Sequence, residues 1–266
     1  MTADERFALV QVKIERAKQH IHDLKAAIRA FLDTHPYVVK TKRNPQTRQL
    51  IYYLSDVRKT PPVIAAITGD ALQNLRSALD HLAYHLFRVG AGDTAAPSQV
   101  CFPIFDSAAE YKAWVHAKVK GMRKDAIDTI DAVKPYKGGN DRLWRLHKLN
   151  NIDKHRFVIT VGSEFCSVNV GPHMQQEMER AFPASKGTTL PPLFVKPADR
   201  LFPLKAGDEL FIDAPDSEVN EKMEFRFDVA FGEPEIVDGE PIIPTLCELA
   251  DCVDALIQSF RPHLDD

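Results

Sequence analysis

Residues 70–88 combine a hydrophobic helix pattern with side chains that suit chemistry on a phosphate group. Arg76 and His81 are spaced as Arg-x4-His in this segment. An arginine offers two parallel N–H donors to phosphate oxygens, and a histidine can exchange a proton near neutral pH. Such a pair suits RNA cleavage, because the 2′-hydroxyl of RNA is the attacking group and needs only proton transfer and charge stabilisation. Arg76 and His81 are therefore the candidate catalytic residues.

The Arg-x4-His motif within a long helix resembles the motif of the HEPN superfamily, helical bundles of which many are metal-independent ribonucleases. The resemblance covers residues 76–81. It implies that Arg76 holds the scissile phosphate and that His81 assists proton transfer, at a site formed when two protomers pair their motif helices. It therefore implies a homodimer that acts on RNA as an endoribonuclease or a nucleic-acid-directed defence protein, without a metal or other cofactor. One departure is Ser77, where the family often has a more strongly polar residue.

A second polar cluster lies in residues 146–156, at the end of another leucine-lined helix. Helical spacing places His147, Asn151 and Lys154 along one side of that helix. Since both clusters interrupt leucine-rich helices, we expect them to face one another across a bundle and to form one anion site. The predicted substrate-binding residues are Asn74, Asp80, His85, His147, Asn151, Lys154, His155 and Arg156.

Two other interpretations of these residues remain open. In the first, Arg76 pairs with Asp80 and the polar groups only lock the helices together, so that the chain is a non-catalytic structural or interaction protein. In the second, Asp80, His81 and His85 bind a metal together with donors from the second cluster, as in carboxylate-bridged bundles. No Glu-x-x-His or His-Glu-x-x-His motif accompanies these residues, which argues against the metal site.

The elements that must position these residues follow from hydrophobic periodicity. A helical period predicts helices at about 2–32, 62–89, 107–120, 124–133, 140–152, 172–183 and 244–260. Alternation predicts a hairpin at 37–54 and strands at 157–161, 165–170, 201–204, 209–212 and 222–231. Gly69 is a weak point at which the second long helix could begin again. Trp114 and Trp144 are interpreted as core residues.

This order of elements predicts an α+β protein, in which a helical bundle with an inserted β-hairpin is followed by an antiparallel β layer and a closing C-terminal helix. Residues 1–156 form the predicted bundle with the hairpin at 37–54. Residues 157–266 form the predicted β region and C-terminal helix, packed with the bundle as one unit. The basic residues of the hairpin form either a solvated sheet edge or a surface that attracts an anionic partner.

Composition limits the remaining classes. The net charge of -3 argues against non-specific binding of nucleic acid over the whole surface, but it allows a local basic site. No apolar run approaches the roughly 20 residues of a membrane span, and the N-terminal segment lacks a signal-peptide pattern, so we expect a cytoplasmic protein without membrane contact. The four cysteines lack CxxC spacing and are expected to be reduced thiols. Walker A, GxGxxG and serine-elbow motifs are absent, which disfavours NTPases, dinucleotide enzymes and α/β-hydrolases.

Overall fold

The computed structural model describes residues 1–92, 100–155, 160–185, 187, 189–196 and 202–265. Its helices are α1 (Ala3–Asp33), α2 (Pro62–Ala91), α3 (Ala108–Val119), α4 (Lys124–Val133), α5 (Asp141–Asp153), α6 (Gly171–Ala181) and α7 (Ile242–Phe260). Its strands are β1 (Tyr37–Arg43), β2 (Gln49–Val57), β3 (Thr160–Asn169), β4 (Phe194–Val195), β5 (Glu209–Pro215) and β6 (Glu224–Phe231). The predicted α+β class, with a hairpin inserted among the helices and a helix near the C-terminus, is confirmed.

The bundle is organised around α2. This helix packs along α1, and it also contacts α5 and α7. Its buried stripe consists of Leu72, Leu75, Leu79, Leu82 and Leu86. Full burial of one leucine contributes roughly 1.5–3 kcal/mol, so the stripe alone accounts for much of the packing between these helices. No helix in the described ranges is both long enough and apolar enough to cross a membrane.

Helix α2 runs without a break through Gly69, so the predicted restart at residue 70 is wrong. A glycine inside a helix usually costs about 1 kcal/mol relative to alanine. Here a Cβ atom at residue 69 would overlap the carboxylate of Asp153, which lies at the end of α5. The missing side chain therefore allows α5 to approach α2 closely.

The strands form two small antiparallel sheets rather than one C-terminal layer. Strand β2 lies between β1 and β5, and β3 lies between β4 and β6. A hairpin alone is only marginally stable, and the strongly apolar strand β2 gains a second hydrogen-bonded neighbour when β5 returns to it. Sequence periodicity identified β5 as a strand but could not show which partner it would choose.

Two details of the β region differ from the prediction. The strands predicted at 157–161 and 165–170 are one strand, β3, whose register shifts between Val161 and Glu164; residues 157–159 lie outside the described residues. The strand predicted at 201–204 is absent over residues 202–204, where Pro203 has no backbone N–H to donate to a neighbouring strand; residue 201 is likewise outside the described ranges.

Basic side chains of the hairpin pair with two carboxylates and one backbone carbonyl of residues 209–217. Lys42 Nζ lies 2.8 Å from Glu209 Oε1, and Arg48 Nη2 lies 2.6 Å from Asp216 Oδ1. Arg43 donates a hydrogen bond to the carbonyl oxygen of Ser217 at 2.7 Å. These contacts favour the interpretation of the hairpin as a solvated edge over that of an anion-attracting surface.

Candidate functional site

A cavity of about 330 Å³ lies between α2, α3, α5 and the segment 101–106. Its volume falls within the range of small-ligand sites, roughly 300–1,000 Å³. Both polar clusters of the sequence contribute to its wall. The lining residues are Arg76, Cys101, Phe102, Pro103, Ile104, Phe105, Asp106, Glu110, Lys118 and His147.

Arg76 anchors the segment 101–106 to α2. The arginine is only 6% exposed, and its Nη2 donates to the carbonyl oxygen of Phe102 at 2.8 Å and contacts Asp80 Oδ1 at 2.9 Å. Asp80 Oδ1 in turn accepts the backbone N–H of Phe102 at 3.0 Å. The second terminal nitrogen, Arg76 Nη1, is buried and has no hydrogen-bond partner within the described chain.

His147 reaches the same cavity from α5. Its Nε2 lies 3.0 Å from the Asn151 side-chain nitrogen, which can only donate, so Nε2 accepts and the neutral ring carries its proton on Nδ1. His147 Nδ1 is buried and finds no acceptor among the described residues. Burial, together with the positive charges of Arg76 and Lys148, lowers the pKa of His147 to about 4. The ring is therefore neutral at physiological pH.

Arg76 and His147 thus both line one cavity, and each has a buried side-chain nitrogen without an acceptor among the described residues. An unpaired buried polar group costs about 1–3 kcal/mol, so each of Arg76 Nη1 and His147 Nδ1 is a destabilising feature of the described chain. Since both nitrogens are buried, a ligand with acceptor oxygens would satisfy them only after the two side chains rotate towards the cavity. Arg76 is paired with Asp80 at 2.9 Å, and the wall carries Asp106 and Glu110 as well as Lys118. A phosphate or carboxylate would therefore be favoured by the hydrogen-bonding geometry of the guanidinium rather than by a net positive charge.

Charged side chains on the rim are already paired in part. Burial raises the pKa of Asp106, but hydrogen bonds from Lys148 and Trp144 outweigh this effect and hold the pKa below its ordinary value. Lys148 Nζ lies 2.7 Å from Asp106 Oδ2, and Trp144 Nε1 donates to Asp106 Oδ1 at 2.9 Å. Lys118, from α3, also lines the cavity; it forms no ion pair with another described residue and adds a second positive charge at the wall.

The structure separates the residues predicted on α2. Asp80 contacts Arg76, as the structural interpretation predicted, whereas His81 is exposed and does not line the cavity. His85 is 6% exposed; burial, followed by the charges of His81 and Arg6, lowers its pKa to about 4. His85 is not among the residues that line the cavity, so its predicted role in substrate binding stays a prediction.

Asn74, on the same helix, does not lie at the cavity. Its side-chain nitrogen donates to the carbonyl oxygen of Asp70, one turn earlier, at 2.8 Å. An asparagine that bonds to its own helix backbone is occupied locally. Asn74 is absent from the cavity wall, so the structure does not support it as a contact for a ligand there.

The two polar clusters come together where α2 and α5 line the cavity, but fewer of the predicted residues take part than the sequence indicated. Asn151 orients His147, and Lys154 is close enough for its charge to lower the pKa of His147. The side chain of His155 is exposed in the turn after α5 and makes no hydrogen bond or ion pair with another described residue. Arg156 lies outside the described residues, so its predicted role stays a prediction.

Sequence reasoning missed several groups at or near the site. The backbone of Phe102, which holds Arg76 and Asp80, carries no side-chain signal for this role. Asn150 is fully buried with both amide atoms unpaired in the described structure, and an asparagine on the leucine face of α5 was the available clue. Trp144 is buried as predicted, but Trp114 is 64% exposed, so its assignment to the core is wrong.

The metal interpretation gains no support from the arrangement of donors. Within the described residues, no three His, Cys, Asp or Glu side chains are grouped so that they could hold a metal ion. All four cysteines are free thiols.

A larger cavity, of about 590 Å³, lies beside α6. Its amide side chains are already paired with one another or with backbone. Asn220 Nδ2 donates to Gln176 Oε1 at 2.8 Å, and Gln175 Oε1 accepts the N–H of Leu190 at 3.4 Å. The smaller cavity is the better candidate because two of its lining residues, Arg76 and His147, each have an unpaired buried nitrogen.

Comparison with known proteins adds no identification. No protein-family model matches the chain, and neither a curated protein nor a solved structure matches it. The HEPN resemblance therefore depends on residues 76–81 alone, and the geometry of the cavity is the main basis for a functional proposal.

Proposed function

We propose that the cavity binds a phosphodiester group of RNA and that the chain is a metal-independent endoribonuclease. The observation that carries the proposal is that Arg76 and His147 both line one cavity, and that each has a buried nitrogen, Nη1 and Nδ1 respectively, without a partner among the described residues. The Arg-x4-His motif supports the same chemistry. Arg76 belongs to both arguments, which is why it is the central residue of the proposed site.

The chemistry needs no group beyond the side chains named. The 2′-hydroxyl oxygen of RNA forms a bond to phosphorus while the bond to the 5′-oxygen breaks, which leaves a 2′,3′-cyclic phosphate and a 5′-hydroxyl. Arg76 would donate to a non-bridging oxygen and stabilise the charge of the phosphorane. A phosphate beside His147 favours the protonated ring, so bound RNA would raise its pKa from about 4 and let Nδ1 protonate the leaving oxygen.

His81 is proposed as the group that takes the proton of the 2′-hydroxyl. It is five positions after Arg76, which is about 140° around the helix, so one α2 helix does not present both residues to one phosphate. The HEPN resemblance implies paired motif helices. We therefore propose a homodimer in which a second protomer places its exposed His81 at the mouth of this cavity.

The test is RNA cleavage in the presence of EDTA, with the product ends identified by mass spectrometry. We expect 2′,3′-cyclic phosphate ends from the wild type, and a loss of about 100-fold or more in rate for His81→Ala with RNA affinity unchanged. His147→Gln should weaken both affinity and cleavage. His22→Gln, an exposed histidine on α1, is the matched control and should behave as wild type.

Two results would overturn the proposal. One is a wild-type preparation that leaves single-stranded RNA intact from about pH 5 to 8 and also fails to bind inorganic phosphate. The other is cleavage that persists equally in His81→Ala and His147→Gln, because the activity would then come from another site or from a contaminant. Binding without cleavage would retain the phosphate site and reject the ribonuclease.

The structural interpretation is the second candidate, and the contacts of Arg76 favour it. Arg76 Nη2 and Asp80 together hold both backbone groups of Phe102, which is what a lock between α2 and the segment 101–106 requires. This role and phosphate binding use different nitrogens of the same guanidinium. Failure of both RNA cleavage and phosphate binding, with strong destabilisation of Arg76 variants, would leave the lock as the function of the cluster.

A further inference from the structure

A short 3-10 helix, Arg261–Leu264, follows α7 and packs against α1, α2 and α7. Its apolar anchor is Leu264, whose side chain is fully buried. Two arginines hold its backbone: Arg6 donates to the carbonyl oxygen of Leu264 at 2.7 Å, and Arg123 Nη1 donates to that of Asp265 at 2.9 Å. Residues 261–265 are called the strap below.

His263 connects the strap to α4 through both nitrogens of its ring. Nδ1 lies 3.1 Å from Asp125 Oδ2, and Nε2 lies 3.0 Å from Thr129 Oγ1. The His263 side chain is 17% exposed, so protein groups rather than solvent surround most of the ring. The strap is therefore joined to α4 by a side chain that can change its charge.

The hydrogen-bond partners fix the number of protons on this ring. Hydrogen bonds from Arg123 and His263 lower the pKa of Asp125 to about 2, so its carboxylate only accepts and Nδ1 must donate. Thr129 has one hydroxyl hydrogen, which it donates to the carbonyl oxygen of Asp125 at 3.0 Å. The Thr129 oxygen is therefore the acceptor towards the ring, and Nε2 must donate as well. A ring that donates from both nitrogens is the imidazolium cation.

Other charges around the strap are engaged by partners of their own. The Asp125 carboxylate also accepts from Arg123 Nη2 at 2.8 Å, and Arg261 Nη2 lies 2.7 Å from Asp4 Oδ1 on α1. From α7 the strap meets the uncharged ring of Phe260, whose centroid lies 5.8 Å from that of His263. The titratable groups that the surrounding elements bring to this region are Asp125, Arg123 and the paired Lys124 and Asp128 at α4, Asp4 and Arg6 on α1, and His85 on α2, which is coupled to Arg6 and His81.

We propose that His263 is a pH-sensitive latch, which holds the strap on α4 while its ring is cationic and weakens that hold when the ring loses a proton. A neutral imidazole has one N–H, so one hydrogen bond of the network is lost, together with the attraction of the cation for the Asp125 carboxylate. Histidine side chains ordinarily titrate between about pH 5 and 8. The strap is therefore held most firmly in mild acid and opens more often as the pH rises. This direction is opposite to that of the buried His147 and His85, which favour the folded state as the pH rises.

The test is hydrogen exchange, followed by mass spectrometry of a peptide that covers residues 261–265. After correction for the intrinsic exchange rate, protection of the wild type should fall roughly tenfold between about pH 5.5 and about pH 8, as expected for the loss of one charge-assisted hydrogen bond. His263→Gln does not titrate and should show no such fall. His22→Gln, which changes an exposed histidine on α1, should follow the wild type.

Nitrogen NMR of the histidine rings tests the proton count in the wild type itself, where no substitution can disturb folding. Both ring nitrogens of His263 should carry protons at about pH 5.5. Thr129→Val keeps the shape of the side chain but removes the acceptor for Nε2, so a neutral ring with its proton on Nδ1 satisfies Asp125 and the pH dependence of protection should shrink. A neutral His263 ring in the wild type at about pH 5.5, or protection that rises with pH together with the stability of the whole fold, would overturn the latch.

Discussion

The neutral state of His147 makes the stability of the fold depend on pH in a way that one substitution can isolate. Burial and the neighbouring charges of Arg76 and Lys148 lower the pKa of His147 in the folded state to about 4 from an ordinary 6.5. The unfolded chain therefore binds this proton more readily than the folded chain. Stability from the neutral ring is fully present above about pH 6.5 and is lost as the pH falls towards 4.

The magnitude follows from the size of that shift. At about 1.36 kcal/mol per unit, a displacement from 6.5 to about 4 corresponds to about 3 kcal/mol in total. Between about pH 7.5 and pH 4.5, about 2.5 kcal/mol of this should be lost. The pKa of His85 is also lowered to about 4, so that histidine contributes a loss of the same sign. A comparison of two proteins that both retain His85 cancels its effect.

The assay is urea denaturation of the wild type and His147→Gln at these two pH values. Glutamine can still hydrogen-bond to Asn151 but does not titrate, so the wild type should lose about 2.5 kcal/mol more than the variant on acidification. His22→Gln changes an exposed histidine and should follow the wild type. Equal losses in wild type and His147→Gln would show that the folded ring is accessible to protons, and would refute the buried neutral histidine on which the site depends.

Two further predictions concern the contacts that hold the cavity together. Arg76→Met should lower the free energy of unfolding by about 3 kcal/mol, because it leaves the Phe102 carbonyl without its donor and Asp80 without its cation. Urea denaturation measures this change. A loss below about 1 kcal/mol would show that other contacts hold the segment 101–106. Gly69→Ala should stabilise an Asp153→Ala protein by about 1 kcal/mol through helix propensity, but should not stabilise the wild type, where the new methyl group overlaps the carboxylate. Additive effects in this double-mutant cycle would contradict the close approach of α5 to α2.

The helices of the bundle were predictable because each carries its own signal. A leucine or isoleucine repeat of three and four residues defines one buried face, and the stripe of α2 is buried as predicted. The hairpin was equally clear, since β1 and β2 are short apolar strands joined by a polar turn. These are local properties, which a sequence displays directly.

The pairing of strands was not predictable in the same way. Strand β5 joins β2 across more than 150 residues of chain, and β3 pairs with β6. Periodicity states that a strand has a buried face, but any strand with a compatible pattern can satisfy a free sheet edge. The division into two sheets was therefore decided by tertiary packing.

The candidate site, like the fold, was predictable from the sequence only in part. The sequence alone determined that α2 and α5 each carry polar groups on a leucine-rich helix, and it identified Arg76 and His147 by residue type. It could not determine that Arg76 turns inward to the Phe102 backbone while His81 turns outward, or that Trp114 lies in solvent. Those outcomes depend on which face of each helix meets a neighbour, and only the packing of the whole chain sets that geometry.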